Sequence, residues 1–238
     1  MRKVILSLYD YTGEALKAWA EAGYECHALD IQHLGVSGEA YPRGGRQWAG
    51  SITYRHADLY ERATIDRIIA RYRGRVHFVF GFPPCTDLAV SGAAHFKRKE
   101  MENPGFQKRA VYHARMVADL AEAIGARYLV ENPVSVLSTK WRKPDYIFQP
   151  YEYGGYLPEG DLHPKYPELI MPRDAYPKKT CLWTGNGFVL PKKKPVPVAE
   201  GYSLQHRKLG GKSIRTKNIR SATPRGFARA VFEANKIP

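Results

Sequence analysis

The chain is poor in cysteine, in acidic residues and in long apolar runs, and each shortage excludes something. Cys26, Cys85 and Cys181 are odd in number and far apart, with no CxxC pair. Neither a disulfide framework nor a structural zinc site is therefore expected. No apolar stretch approaches the length of a bilayer span, and the first residues lack a signal-peptide pattern. These shortages predict a cytoplasmic protein with no membrane partner and no metal. Lys and Arg number 37 against 23 acids in 238 residues, a formal charge of +14. Such an excess favours a polyanionic partner, most simply nucleic acid. A basic enzyme acting on something small stays open. No internal repeat is visible, and 44% hydrophobic residues suit one main globular domain.

Residues 4–9 read as a first strand, Asp10-Tyr11-Thr12-Gly13 as a turn, and 14–22 as a helix. Ala15, Leu16, Ala18 and Trp19 make that helix's apolar stripe, and Gly23 sits where a C-terminal cap belongs. Residues 24–29 form a second strand ending in Asp30. Strand, turn, helix and acid-tipped strand make half of a nucleotide-binding α/β unit, the acid meeting ribose hydroxyls. A plain βαβ unit with a solvated Asp30 is the alternative, since Gly13 stands alone and no GxGxxG is present. Residues 32–50 read as a surface loop and 51–56 as a third strand, with Asp58 past its end. Thr64 is expected to cap a helix bearing Ile65, Ile68, Ile69 and Tyr72. Strands at 75–80 and 127–130 flank a helix at 106–124. This alternation predicts an α/β fold, a mostly parallel sheet with helices on both faces. Beyond Pro133 the pattern weakens. A Tyr-, Pro- and Gly-rich stretch at 141–176 reads as scaffold, followed by a strand at 178–183 and a closing helix from Ser221.

Gly81-Phe82-Pro83-Pro84-Cys85 ends the 75–80 strand, because two prolines cannot continue a hydrogen-bonded ladder. Cys85 then emerges at the carboxyl edge of the sheet, where ligands bind in open α/β folds. It reads either as a nucleophile on a stiff support or as a small buried apolar group. Glu131-Asn132-Pro133 leaves the 127–130 strand at the same edge. A thiolate and a carboxylic acid together suit attack on an electron-poor ring, the acid protonating a ring nitrogen. Asn132 can hold that ring's amide edge.

These residues resemble the DNA cytosine-C5 methyltransferases. Gly81-Phe82-Pro83-Pro84-Cys85 is similar to the family's Pro-Cys nucleophile motif, and Glu131-Asn132-Pro133 to its Glu-Asn-Val motif. Ser7-Leu8-Tyr9-Asp10-Tyr11-Thr12-Gly13 aligns with the cofactor loop Asp-Leu-Phe-x-Gly-x-Gly, with Tyr11 and Glu14 at two glycine places. The resemblance is clearest over residues 3–133. It implies a Rossmann-like methyltransferase fold that takes S-adenosylmethionine at Tyr9, Asp10, Tyr11, Thr12, Gly13, Asp30, Ile31, Asp58, Leu59, Phe82 and Pro83. It implies Cys85 as the nucleophile on a flipped cytosine, Glu131 as the proton donor to N3, and Asn132 beside them. Tyr176-Pro177-Lys178-Lys179-Thr180 lies where the family carries Gln-x-Arg-x-Arg, with Lys179 standing in for a base-contacting arginine. Residues 86–108 would be a mobile, basic catalytic loop. The implied organisation is a catalytic core at 1–183, a small basic target-recognition region at 184–220, and a C-terminal helix at 221–238 packed on the core. The expected partner is double-stranded DNA, met by a monomer similar to compact, phage-type orphan enzymes. The same chemistry on RNA or a free cytosine nucleotide is the alternative, as is a catalytically inactive DNA-binding relative.

Overall fold

Short β-branched and aromatic runs build one 8-stranded sheet in the order β3-β4-β2-β1-β5-β6-β8-β7. The computed structural model describes residues 3–34, 38–40, 50–198, 204–210 and 213–237. The strands are β1 (Val4–Leu8), β2 (Glu25–Asp30), β3 (Gly38–Ala40), β4 (Ser51–His56), β5 (Val76–Gly81), β6 (Arg127–Pro133), β7 (Tyr146–Phe148) and β8 (Thr180–Gly185). The run β4-β2-β1-β5-β6 is parallel throughout. β8 lies antiparallel between β6 and β7, and β3 adds an antiparallel edge to β4. The helices are α1 (Lys17–Glu21), α2 (Arg62–Tyr72), α3 (Phe96–Glu102), α4 (Phe106–Ile124), α5 (Leu137–Lys140), α6 (Leu204–Lys208), α7 (Ile214–Ser221) and α8 (Arg225–Asn235). This is an α/β protein with a Rossmann-like, mostly parallel sheet.

Strand alternation divides the core. Leu6, Leu8, Val79 and Val130 pack on one face against Ile65 and Ile68 of α2 and Val111 and Val117 of α4. Ile5, Phe78 and Phe80 pack on the other against Trp19 of α1 and Phe227 and Val231 of α8. Each such buried side chain contributes about 1.5–3 kcal/mol over leaving it exposed. At Gly81 a Cβ would run into Val117, so the last residue of β5 is small enough for α4 to lie close.

Several elements differ from their sequence signals. Residues 14–16 form a single 3-10 turn before α1. Thr64 does not cap α2, which starts at Arg62 behind Glu61; its hydroxyl accepts from Arg67 inside the helix. Most of the expected 32–50 loop lies outside the described residues, apart from its ends and β3. Residues 86–108 are folded rather than loop-like, with a 3-10 helix at Val90–His95, then α3 and the start of α4. β6 runs on through Asn132 and Pro133 because β8 supplies partners there. The 141–176 stretch contains β7 and a 3-10 helix at Pro150–Tyr156.

The boundary at residue 183 falls inside β8. Residues beyond it bond back to that 3-10 helix: Gly155 N to Lys194 O at 2.8 Å, Lys194 N to Glu152 O at 2.9 Å, and Val196 N to Tyr151 O at 3.0 Å. The described part of 184–220 thus packs on the core instead of standing apart.

Candidate active site at the carboxyl edge of the sheet

The chain runs from β1 outward through β2 to β4, then crosses back to β5 and β6 on the other side of β1. The order reverses between β1 and β5, and an open α/β sheet has its ligand crevice at such a point. Along the edge stand Asp58, Asp30, Asp10, Cys85 and Glu131 with Asn132, each at or just past the end of its own strand.

The turn after β1 contains a single glycine, Gly13. The buried Asp10 carboxylate accepts from Ser7 Oγ at 2.7 Å, Thr12 N at 3.0 Å, Thr12 Oγ1 at 3.1 Å and Gly13 N at 2.7 Å. Burial pushes its pKa up, and these bonds oppose that. Asp10 therefore shapes the loop from within and does not face a ligand. Gly13 is left-handed (φ 68), and a Cβ there would lie 2.5 Å from Tyr54 Oη. Tyr9 is also left-handed (φ 57), a strained conformation for a bulky residue.

Asp30 and Asp58 each use one oxygen to shape their own turn. Asp30 Oδ1 accepts from Gln32 N at 2.8 Å, and Asp58 Oδ1 accepts from Tyr60 N at 2.9 Å. Their second oxygens make no bond to described residues. Between these acids and the crevice, Ile31 and Tyr11 are 49% and 43% exposed. Those values are high for large apolar side chains beside a buried turn. Leu59 is buried and fills the core below.

Cys85 is exposed, whereas Cys26 and Cys181 are buried. Its carbonyl accepts from Leu88 N at 3.0 Å and Ala89 N at 2.9 Å, which fixes the turn. Phe82 stacks on Phe80 at 6.2 Å, and Phe82 N donates to Leu8 O at 3.0 Å, joining the β5 and β1 ends. Asn132 Nδ2 donates to Pro83 O at 3.0 Å, both groups being buried. Val136 N to Leu88 O at 3.0 Å and Val90 N to Val134 O at 3.1 Å carry the same union further. Glu131 Oε1 and Asn132 Oδ1 are sealed from solvent with no hydrogen-bond partner among the described residues.

Burial pushes the Glu131 carboxyl above its ordinary pKa, and the Lys178 ammonium partly opposes this. Although Cys85 keeps an exposed surface, the protein packed around its sulfur and the negative Glu131 push the thiol up, while Lys178 and Arg220 pull it down. Lys178, not Lys179, is the lysine of this site. Glu131 faces Leu182 and Pro133 faces Thr180 across the ladder, so residues of even number share the Glu131 side. Lys179 is exposed on the opposite parity, and its charge is felt at Cys181 instead. The motif's own spacing also puts Lys178 at the first arginine place. Lys178 Nζ donates to Arg220 O at 3.0 Å, which brings α7 to the site.

Sequence reading missed Arg220, His33 and His113. His33 is buried, has Nε2 3.1 Å from Asp10 O, and stacks under Tyr11 at 5.6 Å and 17°. His113, on α4, has Nδ1 3.2 Å from the Tyr9 hydroxyl and its ring 3.9 Å from that of Tyr60. No local motif marks either histidine. Of the basic residues at 86–108, Lys99 is committed within the segment, bonding Asp87 at 2.7 Å and Thr86 O at 3.3 Å.

No protein-family model matches the chain, and no curated protein matches it. Among solved structures 36 chains match. One, reported for the conversion of a disulfide bond into a thioacetal group during echinomycin biosynthesis, is 12% identical with a TM-score of 0.30, over 59% of this chain and 47% of that one. This chain thus spans about half of that protein's length, and a likeness this slight carries no argument about activity. Among the described residues no helix is long and apolar enough to cross a membrane. None of their His, Cys, Asp and Glu side chains form a group of 3 or more that could hold a metal.

Proposed function

We propose that the protein methylates C5 of cytosine in DNA, using S-adenosylmethionine and a covalent Cys85 adduct on a flipped base. The observation that carries this reading is the meeting of Cys85 with Glu131 and Asn132 at adjacent strand ends. There a raised, buried carboxyl and an unpartnered amide oxygen stand beside an exposed thiol. Unpartnered buried acceptors are costly in an empty protein and suit a polar ring edge.

Protonated Glu131 donates its proton to N3 while the Cys85 thiolate forms a bond to C6, and the ring electrons collect toward C5. Asn132 Oδ1 accepts from the exocyclic amine. S-adenosylmethionine would supply the electrophilic methyl group that C5 takes. Loss of the C5 proton to water then restores the ring as the Cys85–C6 bond breaks, returning the thiolate, and the N3 proton goes back to Glu131. Lys178 holds positive charge near both groups and favours the thiolate. The switch-point features fit this cofactor: the free oxygens of Asp30 and Asp58 suit ribose hydroxyls and an adenine amine, and exposed Ile31 and Tyr11 suit an adenine face.

Duplex DNA containing 5-fluorocytosine tests the reading, because fluorine at C5 blocks the final elimination. A covalent complex that survives denaturing gel electrophoresis is expected with the natural protein and not with Cys85→Ser. No complex on DNA, with transfer to RNA or to a free cytosine nucleotide instead, would move the substrate class. No complex on any of them, with intact DNA binding, would mark an inactive relative.

A further inference from the structure

A cleft of about 500 Å³ opens between α2 and the end of β4; Asp58 lines it, whereas Cys85 and Glu131 do not. Buried Leu29, Ile68 and Tyr72 make its floor, and Arg55, Arg67 and Arg71 stand in its walls, with Asp58 and Glu61 at one end. Arg67 and Arg71 are one helical turn apart and so share a face of α2. Each guanidinium is anchored by one contact among the described residues. Arg55 Nε donates to His27 Nδ1 at 3.3 Å, and His27 Nε2 donates in turn to Glu25 at 2.9 Å. Arg67 donates to Thr64 Oγ1 at 3.0 Å, and Arg71 lies over the Tyr72 ring at 5.5 Å.

No ion pair among the described residues includes Arg55, Arg67 or Arg71. Arg62, on the same helix, pairs outward with Asp66 at 2.9 Å. Three like charges gathered without an ion-pair partner among the described residues repel one another, and an anion between them reverses that cost. Guanidinium forks match phosphate oxygens two at a time. A cleft of this size with an apolar floor has small-molecule dimensions.

We propose that this cleft is a phosphate-binding site, distinct from the Cys85 crevice, in which Arg55, Arg67 and Arg71 hold the phosphate of a nucleotide unit. The nucleotide comes either free or as part of a nucleic-acid backbone, and the test separates the two. Guanosine monophosphate is titrated calorimetrically, and a blunt duplex is titrated across a salt series. Both use the natural chain and R67Q/R71Q, whose substitutions lie at exposed positions. A free nucleotide gives saturable monophosphate binding that weakens tenfold or more in the variant, while guanosine does not bind. A backbone phosphate gives a duplex whose log–log salt slope falls by about two units in the variant. Either result supports the site. Equal monophosphate affinity, or none in both proteins, together with an unchanged duplex slope overturns it. S-adenosylmethionine affinity, equal in both proteins, keeps this outcome apart from any failure of the methyltransferase reading.

Discussion

The Asn132 side-chain amide donates to the Pro83 carbonyl across 3.0 Å, although the two stand 49 positions apart in the chain. That bond joins the turn carrying Cys85 to the strand end carrying Glu131, so thiol and carboxyl are held as one unit. Asn132→Ala leaves the buried Pro83 carbonyl unpaired and is expected to cost about 1–3 kcal/mol of stability. The urea midpoint reads the loss. Turnover is expected to fall further than stability explains, since Asn132 Oδ1 goes as well; a variant as active as the natural protein would detach Asn132 from the site.

Cys85 titrates under opposing charges, and alkylation by iodoacetamide reads this directly because the other two cysteines are buried. Lys178→Gln removes positive charge, so the pH midpoint of alkylation is expected to rise. Glu131→Gln removes negative charge and is expected to lower it. Lys179→Gln should leave it unchanged. A larger shift from Lys179 than from Lys178 would reverse the assignment made from strand parity.

Asp30 and Asp58 keep one oxygen each free of the turn they shape. Alanine at either position is expected to weaken S-adenosylmethionine binding by on the order of 1–3 kcal/mol, measured by calorimetry. Asparagine retains the Oδ1 acceptor and so should preserve the turn while still weakening binding. Unchanged affinity in both alanine variants would move the cofactor elsewhere.

Asp174 is a buried carboxyl that this site does not use. Burial pushes it up to about 6, although Gly226 N donates to it and Arg225 stands near. A carboxyl raised on folding contributes stability that is full below its unfolded pKa near 4 and is lost as pH rises through about 6. Between those values stability should fall with rising pH by on the order of 2 kcal/mol. Asp174→Asn keeps an acceptor for Gly226 N, tolerates the left-handed backbone (φ 50) and should flatten that slope. Denaturant melts at pH 4, 5, 6 and 7 follow it, and an equal slope in the variant would place the titration elsewhere.

The described part of 184–220 is short and largely spent on contacts with the core, as in Lys193 with Glu152 at 2.6 Å and Lys194 over Tyr156 at 4.2 Å. Few side chains remain for reading bases, and each good contact supplies about 1–3 kcal/mol of discrimination. A target of about two to four base pairs is expected. Bisulfite sequencing of a methylated random duplex library measures it, and a strict six-base site would bring residues 141–176 into base reading.

The sequence alone determined the parts governed by short-range period and stereochemistry. Short runs of β-branched, aromatic and other apolar residues specified β1, β2, β4 and β5, two prolines stopped β5 before Cys85, and Gly125 with φ 75 closed α4. Acids at three strand ends were legible because a strand's end is a local event. Tertiary structure decided whatever depended on register or on partners distant in the chain. Asp10 looked like a ligand contact and turned inward, because a loop short of glycines needs an internal acceptor to hold its shape. Lys178 displaced Lys179 because facing residues on β6 and β8 share a side, and no local pattern states which residues will face. His113 reached Tyr9 across 104 positions, and Arg55 came to line one cleft with Arg67 and Arg71 only through tertiary packing. Side-chain chemistry is written one residue at a time, but the distance between two side chains is set by the packing of everything between them.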